Sequence, residues 1–236
     1  MLDQRRKQLL DAMGIRRWVR REFPREAAPA VEATPPAADE QPLAPAAGPP
    51  AKDWDALRAQ VAACQKCPLH ASRTQTVFGT GDPEAELLII GEAPGADEDR
   101  QGEPFVGRAG RLLDEMLLAA GTARDRVYIA NILKCRPPGN RNPAPEEILA
   151  CSGYLAAQIA MIGPKAILSV GGVSATSLLQ TDLSVGRLRG EVHHYGEQRI
   201  PLVVTYHPAY LLRQPAQKAS SWLDLQLLMR VLREAG

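Results

Sequence analysis

An α/β fold, with a parallel sheet covered by helices on both faces, is predicted from residue 51 onward. Three observations predict it: short apolar, β-rich runs recur along the chain, helical stretches separate them, and the runs are continuous rather than alternating in polarity. A continuous run such as Leu87-Leu88-Ile89-Ile90 marks a strand buried on both faces. Strand and helix in alternation then argue for parallel strands joined by crossover helices.

The elements follow in order. Strands are predicted over residues 86–91, 127–132, 166–170 and 202–206, and helices over 107–120, 145–162, 172–180 and 215–234. Sheets of this kind place their sites at the carboxyl ends of the strands, so the segments after each strand carry the functional argument.

Before residue 51 the chain has a different character. Residues 27–50 are dominated by Ala and Pro, a composition that cannot bury a core, and read as a disordered linker. Residues 1–26 carry eight Lys or Arg against four acids, with Leu9, Leu10, Met13, Trp18 and Val19 as an apolar set interrupted by Gly14. A basic amphipathic segment on a tether suits helix-in-groove docking on a replication or repair protein; a plain disordered tail is the alternative. The whole chain has a net charge of +1, so the part outside this segment is slightly acidic and any nucleic-acid contact there needs local basic patches.

No apolar run approaches the roughly 18 residues of a membrane span. The N-terminus lacks the apolar stretch of a secretory signal, and Asp3, Asp11, Glu22 and Glu26 argue against a transit peptide. A cytoplasmic, monomeric protein is expected, with residues 51–236 as its main domain.

Cys64, Cys67, Cys135 and Cys151 are the four cysteines of the chain. The Cys64-Gln65-Lys66-Cys67 spacing lets two thiolates converge on one centre. Cys135, in Lys134-Cys135-Arg136-Pro137-Pro138, and Cys151, on a predicted helix, would complete a set gathered from three segments. Scattered all-cysteine ligation fits a [4Fe-4S] cluster better than a structural zinc, which more often uses paired Cys-x-x-Cys or Cys/His sets. Zinc and four unligated core thiols remain as alternatives, and disulfides are disfavoured without a secretory signal.

The strand ends carry distinctive segments. Gly91-Glu92-Ala93-Pro94-Gly95-Ala96-Asp97-Glu98-Asp99 follows the first strand; it is neither a dinucleotide fingerprint nor a phosphate loop. Pro104-Phe105-Val106-Gly107-Arg108-Ala109-Gly110 leads into a helix, Asn131 closes the second strand, and His207-Pro208-Ala209-Tyr210-Leu211-Leu212-Arg213 follows the fourth. Together with the four cysteines, these segments resemble family 4, the iron-sulfur branch, of the uracil-DNA glycosylase superfamily. The resemblance runs from Ala51 to the end of the chain. It implies a three-layer α/β/α sandwich around a four-stranded parallel sheet, a [4Fe-4S] cluster, and hydrolysis of the bond between uracil and deoxyribose in single- or double-stranded DNA.

The roles it implies match physical needs. A base must leave the stack before its glycosidic carbon is reachable, and Phe105 would supply the stacking platform. The amide of Asn131 both donates and accepts, as reading uracil O4 and N3–H requires, while cytosine presents the opposite pattern. His207 would donate to O2 as charge builds on the departing base. Gly91 and Ala93 would line the base pocket; Ala93 stands where the best-known branch has a water-activating Asp, which leaves Glu92 and Glu98 as candidate carboxylates. Glu98 is alternatively placed to exclude the thymine methyl. Tyr210, Leu211, Leu212 and Arg213 resemble a minor-groove loop with an apolar wedge, and Lys134, Arg136, Arg141 and Arg108 would grip phosphates. Asp97 and Asp99 read as solvated turn residues, and His193 and His194 as solvent-facing hairpin residues.

Two other functions compete. A related branch traps uracil-DNA covalently through a histidine after the second strand, but residues 137–143 contain none. The other is a replication-associated DNA-binding accessory whose active part is the N-terminal segment.

Overall fold

The computed structural model describes residues 53–235; the basic segment 1–26 and the linker 27–50 lie outside the described residues. Helix α1 (Trp54–Ala62) opens the domain, capped by Asp53, whose Oδ1 accepts from the Asp55 amide at 2.8 Å. There follow β1 (Thr80–Gly81), β2 (Leu87–Gly91), α2 (Ala96–Gln101), α3 (Arg108–Ala119), β3 (Tyr128–Asn131) and α4 (Pro145–Ile162). After these come β4 (Ala166–Val170), α5 (Gly172–Leu179), α6 (Val185–Leu188), β5 (Val192–Tyr195), β6 (Ile200–Thr205), α7 (Pro208–Arg213) and α8 (Lys218–Glu234). Proline at the first turn of α4 and Gly163 in the left-handed region just past its end give that helix well-defined limits.

The sheet has six strands in the order β1-β3-β2-β4-β6-β5. This extends the four-stranded expectation. The four predicted strands pair in parallel at its centre, and an antiparallel strand is added at each edge. The edge strands left little trace in the sequence for a physical reason: β1 is two residues long, and the residues of β5 are exposed or half-buried, with no buried apolar run.

Side chains on the central strands alternate between two cores. Leu88, Ile90, Ala130, Ile167 and Val204 pack with Leu155 and Ile159 of α4 and Ala175 of α5. Leu87, Ile89, Ile129, Leu168 and Val203 pack on the other face with Leu113 and Leu117 of α3 and Leu225 and Leu228 of α8. Burial on both faces is what the continuous apolar runs encode, and helices on both sides make three layers. A third cluster joins Leu57 and Val61 of α1 to Leu133, Cys135, Cys151 and Tyr154. No described helix is long and apolar enough to cross a membrane.

The strand pairing sets up the site. In the β2–β3 ladder Gly91 stands directly opposite Asn131, at the carboxyl ends of both strands. A Cβ on Gly91 would overlap the Asn131 amide oxygen and stand 2.7 Å from the Phe105 ring. Glycine here gives room to two neighbouring side chains.

Candidate functional site

A cleft of about 450 Å³ opens at the carboxyl ends of the parallel strands, with Glu92, Glu98, Phe105, Asn131, His207 and Arg213 on its walls. Its volume suits a small planar ligand such as a nucleobase with part of its sugar. The sequence-predicted residues that follow β2, β3 and β6 thus meet in one place.

His207 caps α7, with Pro208 at the first helical position, and its Nδ1 accepts from the Ala209 amide at 3.1 Å. That bond assigns the ring proton to Nε2, leaving Nε2–H as a donor. The ring is held against Gly171, whose added Cβ would lie 3.2 Å from the His207 Cβ. Burial pushes its pKa down to about 4, with the Arg213 charge contributing. At neutral pH the imidazole is uncharged.

The Phe105 ring stacks on His207 with centroids 5.5 Å apart and planes 27° from parallel. Its backbone φ of +55° lies in the left-handed region, which an aromatic residue seldom adopts. Asn131 is buried at the end of β3. Ala93 lines the cleft between the two glutamates.

The two carboxylates differ in their engagements. Glu98 Oε2 accepts from the Gly95 amide at 3.1 Å and so caps α2. Glu92 is half-buried, and burial alone pushes its carboxyl upward from the ordinary range. A carboxylate raised by desolvation is a better proton acceptor than an ordinary solvated one.

Several expected DNA contacts are placed differently. Lys134 is 1% exposed, and its Nζ donates to the Asn131 carbonyl at 3.0 Å and to Gln158 Oε1 at 2.6 Å. It is an internal brace and cannot reach phosphate. Leu211 is 1% exposed in the α3/α8 core: in α7 it shares an inward face with Pro208, three residues earlier. Tyr210, packed 5.0 Å from Tyr206, and Leu212 are half-buried, while Arg213 is exposed. Arg108 is exposed at the start of α3, and Arg136 donates from Nε to Asn140 Oδ1 at 2.7 Å. Arg141 borders the cleft with its guanidinium engaged by Glu147 at 2.6 and 2.9 Å.

Two smaller expectations also change. Asp99 is buried and accepts from the Thr74 amide with both oxygens, at 2.9 and 3.1 Å, whereas Asp97 is exposed and paired with Arg100. His193 is half-buried, with Nε2 2.7 Å from the Leu188 carbonyl; His194 is exposed.

The four cysteines are free thiols lining one cavity together with Val61, Leu69, Leu133 and Tyr154. Cys135 Sγ accepts from Arg73 Nη1 at 3.1 Å, and Cys151 Sγ from the Lys134 amide at 3.3 Å. Among the described residues no group of three or more His, Cys, Asp or Glu is arranged to hold a metal ion. Burial pushes the Cys151 thiol up to about 11, against the pull of Lys134. Arg73 has no role in the sequence reading, and Gly110 enters it only as the end of the segment leading into a helix. Arg73 leaves no local signal, but a glycine inside a helical pattern, such as Gly110, marks a close backbone approach.

With this geometry in view, comparison with known proteins is decisive. The profile of the Uracil DNA glycosylase superfamily matches residues 78–227. The chain belongs to this superfamily. Its similar curated relatives include a Type-4 uracil-DNA glycosylase of Archaeoglobus fulgidus, 44% identical over 168 residues, or 68% of this chain and 84% of the relative. Type-4 uracil-DNA glycosylases of Pyrobaculum aerophilum and Thermotoga maritima are 40% identical over 181 residues (74% of this chain, 92% of the relative) and 44% over 157 (65% and 80%). The segment matching the superfamily contains every cleft residue from Glu92 to Arg213 and two of the cysteines, while Cys64 and Cys67 precede it.

Proposed function

We propose that this protein is a uracil-DNA glycosylase of base excision repair, flipping uracil from single- or double-stranded DNA and hydrolysing its N-glycosidic bond to leave an abasic site. The observation that carries this reading is a neutral His207, with its donor tautomer fixed by the Ala209 amide, in the same cleft as Asn131 and Phe105.

The flipped base stacks on Phe105 while the Asn131 amide pairs with uracil O4 and N3–H. Gly91 leaves the space for both side chains. As the C1′–N1 bond lengthens, negative charge moves onto the base, and Nε2–H of His207 donates to O2. The neutral ring can make this bond because the Ala209 amide occupies Nδ1 and keeps the proton on Nε2. Glu92 orients the attacking water, takes up its proton and offsets the positive charge that develops on the sugar. Glu98 supports this arrangement by capping α2, and Ala93 leaves the wall between the carboxylates open. Arg108, Arg136, Arg141 and Arg213 face the phosphates, with Tyr210 and Leu212 entering beside the vacated position.

Cys64, Cys67, Cys135 and Cys151 are the residues that would hold a [4Fe-4S] cluster. The donor set supports this: four unpaired thiols line one cavity, two of them half-buried and Cys135 and Cys151 buried, and ionising buried thiols calls for compensating positive charge. When bound, the cluster supplies a covalent tie between chain segments; base hydrolysis contains no redox step. We place the protein in the cytoplasm as a monomer, with residues 1–26 docking on a replication or repair partner.

The test is release of uracil from single- and double-stranded oligonucleotides by the full chain with its cluster intact. Parallel reactions use Glu92→Gln, Glu98→Gln, Asn131→Ala and His207→Ala. Absence of release by the parent protein would overturn the enzyme reading, and tight retention of uracil-DNA without turnover would favour a non-catalytic or covalent binder.

A further inference from the structure

The left-handed backbone of Phe105 is held by groups that the reaction itself does not use. One guanidinium, that of Arg124, reaches two consecutive carbonyls: Nη1 donates to Phe105 O at 3.2 Å and Nη2 donates to Pro104 O. The same Nη1 donates to Asp114 Oδ1 of α3 at 3.1 Å. Gly110, also on α3, completes the support. A Cβ there would overlap the Phe105 carbonyl, and the Phe105 Cα would lie only 3.0 Å away, so the loop rests directly on the helix backbone.

We propose that Arg124, oriented by Asp114, is a positioning residue that locks Phe105 in its base-stacking conformation before DNA arrives. This rests on the reading of Phe105 as the platform for the flipped base. Without the two carbonyl bonds, relaxation of Phe105 to negative φ swings its ring out of register with His207 and Asn131. The Arg124 and Asp114 side chains are 28% and 38% exposed, so their ion pair is screened by solvent and adds little to global stability. What the guanidinium fixes is the one strained aromatic residue in the cleft.

The experiment is a double-mutant cycle on the full chain with Arg124→Gln, Phe105→Ala and the double variant, with Arg124→Lys and Asp114→Asn alongside. Excision kcat and KM, inhibition by free uracil and thermal unfolding are measured for each. Arg124→Gln is expected to lower kcat/KM by about 10- to 100-fold, the scale of a misplaced reacting group, and to weaken uracil inhibition with little change in Tm. On the Phe105→Ala background it should add almost nothing. Arg124→Lys restores only part of the loss, because one ammonium lacks the planar fork that spans both carbonyls. Equal fold-losses from Arg124→Gln with and without Phe105 would overturn the proposal. If Arg124→Gln fails to fold, Asp114→Asn decides by the same cycle. Parental activity and uracil inhibition in Phe105→Ala would instead refute the platform reading itself.

Discussion

His207 shows how one residue's chemistry is set by its backbone neighbour. Because the Ala209 amide occupies Nδ1 and burial pulls the ring down to about 4, the side chain is a neutral donor across the physiological range. The part of kcat that depends on His207 should therefore stay level through neutral pH and change only as pH falls through about 4. A kcat profile that instead broke near the ordinary histidine value of 6.5 would contradict this. The linked stability effect has a definite sign. The unfolded chain binds this proton more tightly, so the contribution of His207 is fully present above 6.5 and is lost as pH falls toward 4. Replacing His207 by Ala should slow bond cleavage by about 10²- to 10³-fold in single-turnover assays. A few residues farther along, Leu211→Ala should cost about 2–5 kcal/mol in denaturant unfolding, as for other core truncations. Leu212→Ala, on the other face of α7, should spare stability and weaken excision from duplex more than from single strands.

Among the elements, the main helices and central strands were readable to within a few residues because each buries a continuous apolar face. The short helices and both edge strands were not, since two to six residues give too little periodicity, and α1 was missed as well because its nine residues bury only Leu57 and Val61. The same contrast separates the site residues. Asn131 and His207 were legible because each sits in a distinctive segment at a strand end, and Phe105 because it lies in the distinctive segment leading into α3. Lys134 misled because a basic residue in a basic loop gives no local sign that its Nζ turns inward to Gln158, 24 positions away. Helix α4 offers a test of its own. Glu147 accepts from the Ala144 amide at 2.8 Å and holds the Arg141 guanidinium, whose charge and hydrogen bonds keep the Glu147 carboxyl below its ordinary range. Glu147→Gln should lower Tm modestly by weakening the cap while freeing Arg141. Affinity for undamaged DNA should then rise, with a salt dependence steeper by about one counterion. An unchanged salt slope would show that Arg141 does not contact phosphate.

For the molecule as a whole, the cysteine cavity links three parts of the chain: the end of α1, the segment just past β3, and α4. It adjoins the active cleft through Lys134, whose amide meets Cys151 and whose ammonium meets the Asn131 carbonyl. If the proposed [4Fe-4S] cluster is held there, Cys151→Ser should abolish its brown visible absorbance, lower Tm and erode selection of uracil over cytosine. Loss of absorbance with undiminished Tm and selectivity would separate the cluster from the fold. Because the chain outside the N-terminal segment is slightly acidic, removing Arg108 or Arg213 should each shallow the salt slope of DNA binding by about one.

The pairing of Gly91 with Asn131 has a consequence for fidelity. The amide proposed to tell one base from another and the vacancy at Gly91 lie across a single rung of the sheet. A slip of β3 by one residue would turn Asn131 to the opposite face and close the vacancy at the same time. Accuracy is thus inherited from main-chain register, which cannot drift by degrees. On heating, the ratio of uracil to cytosine excision should hold nearly flat until all activity is lost with the unfolding transition, so that a damaged enzyme falls silent before it begins to excise normal bases.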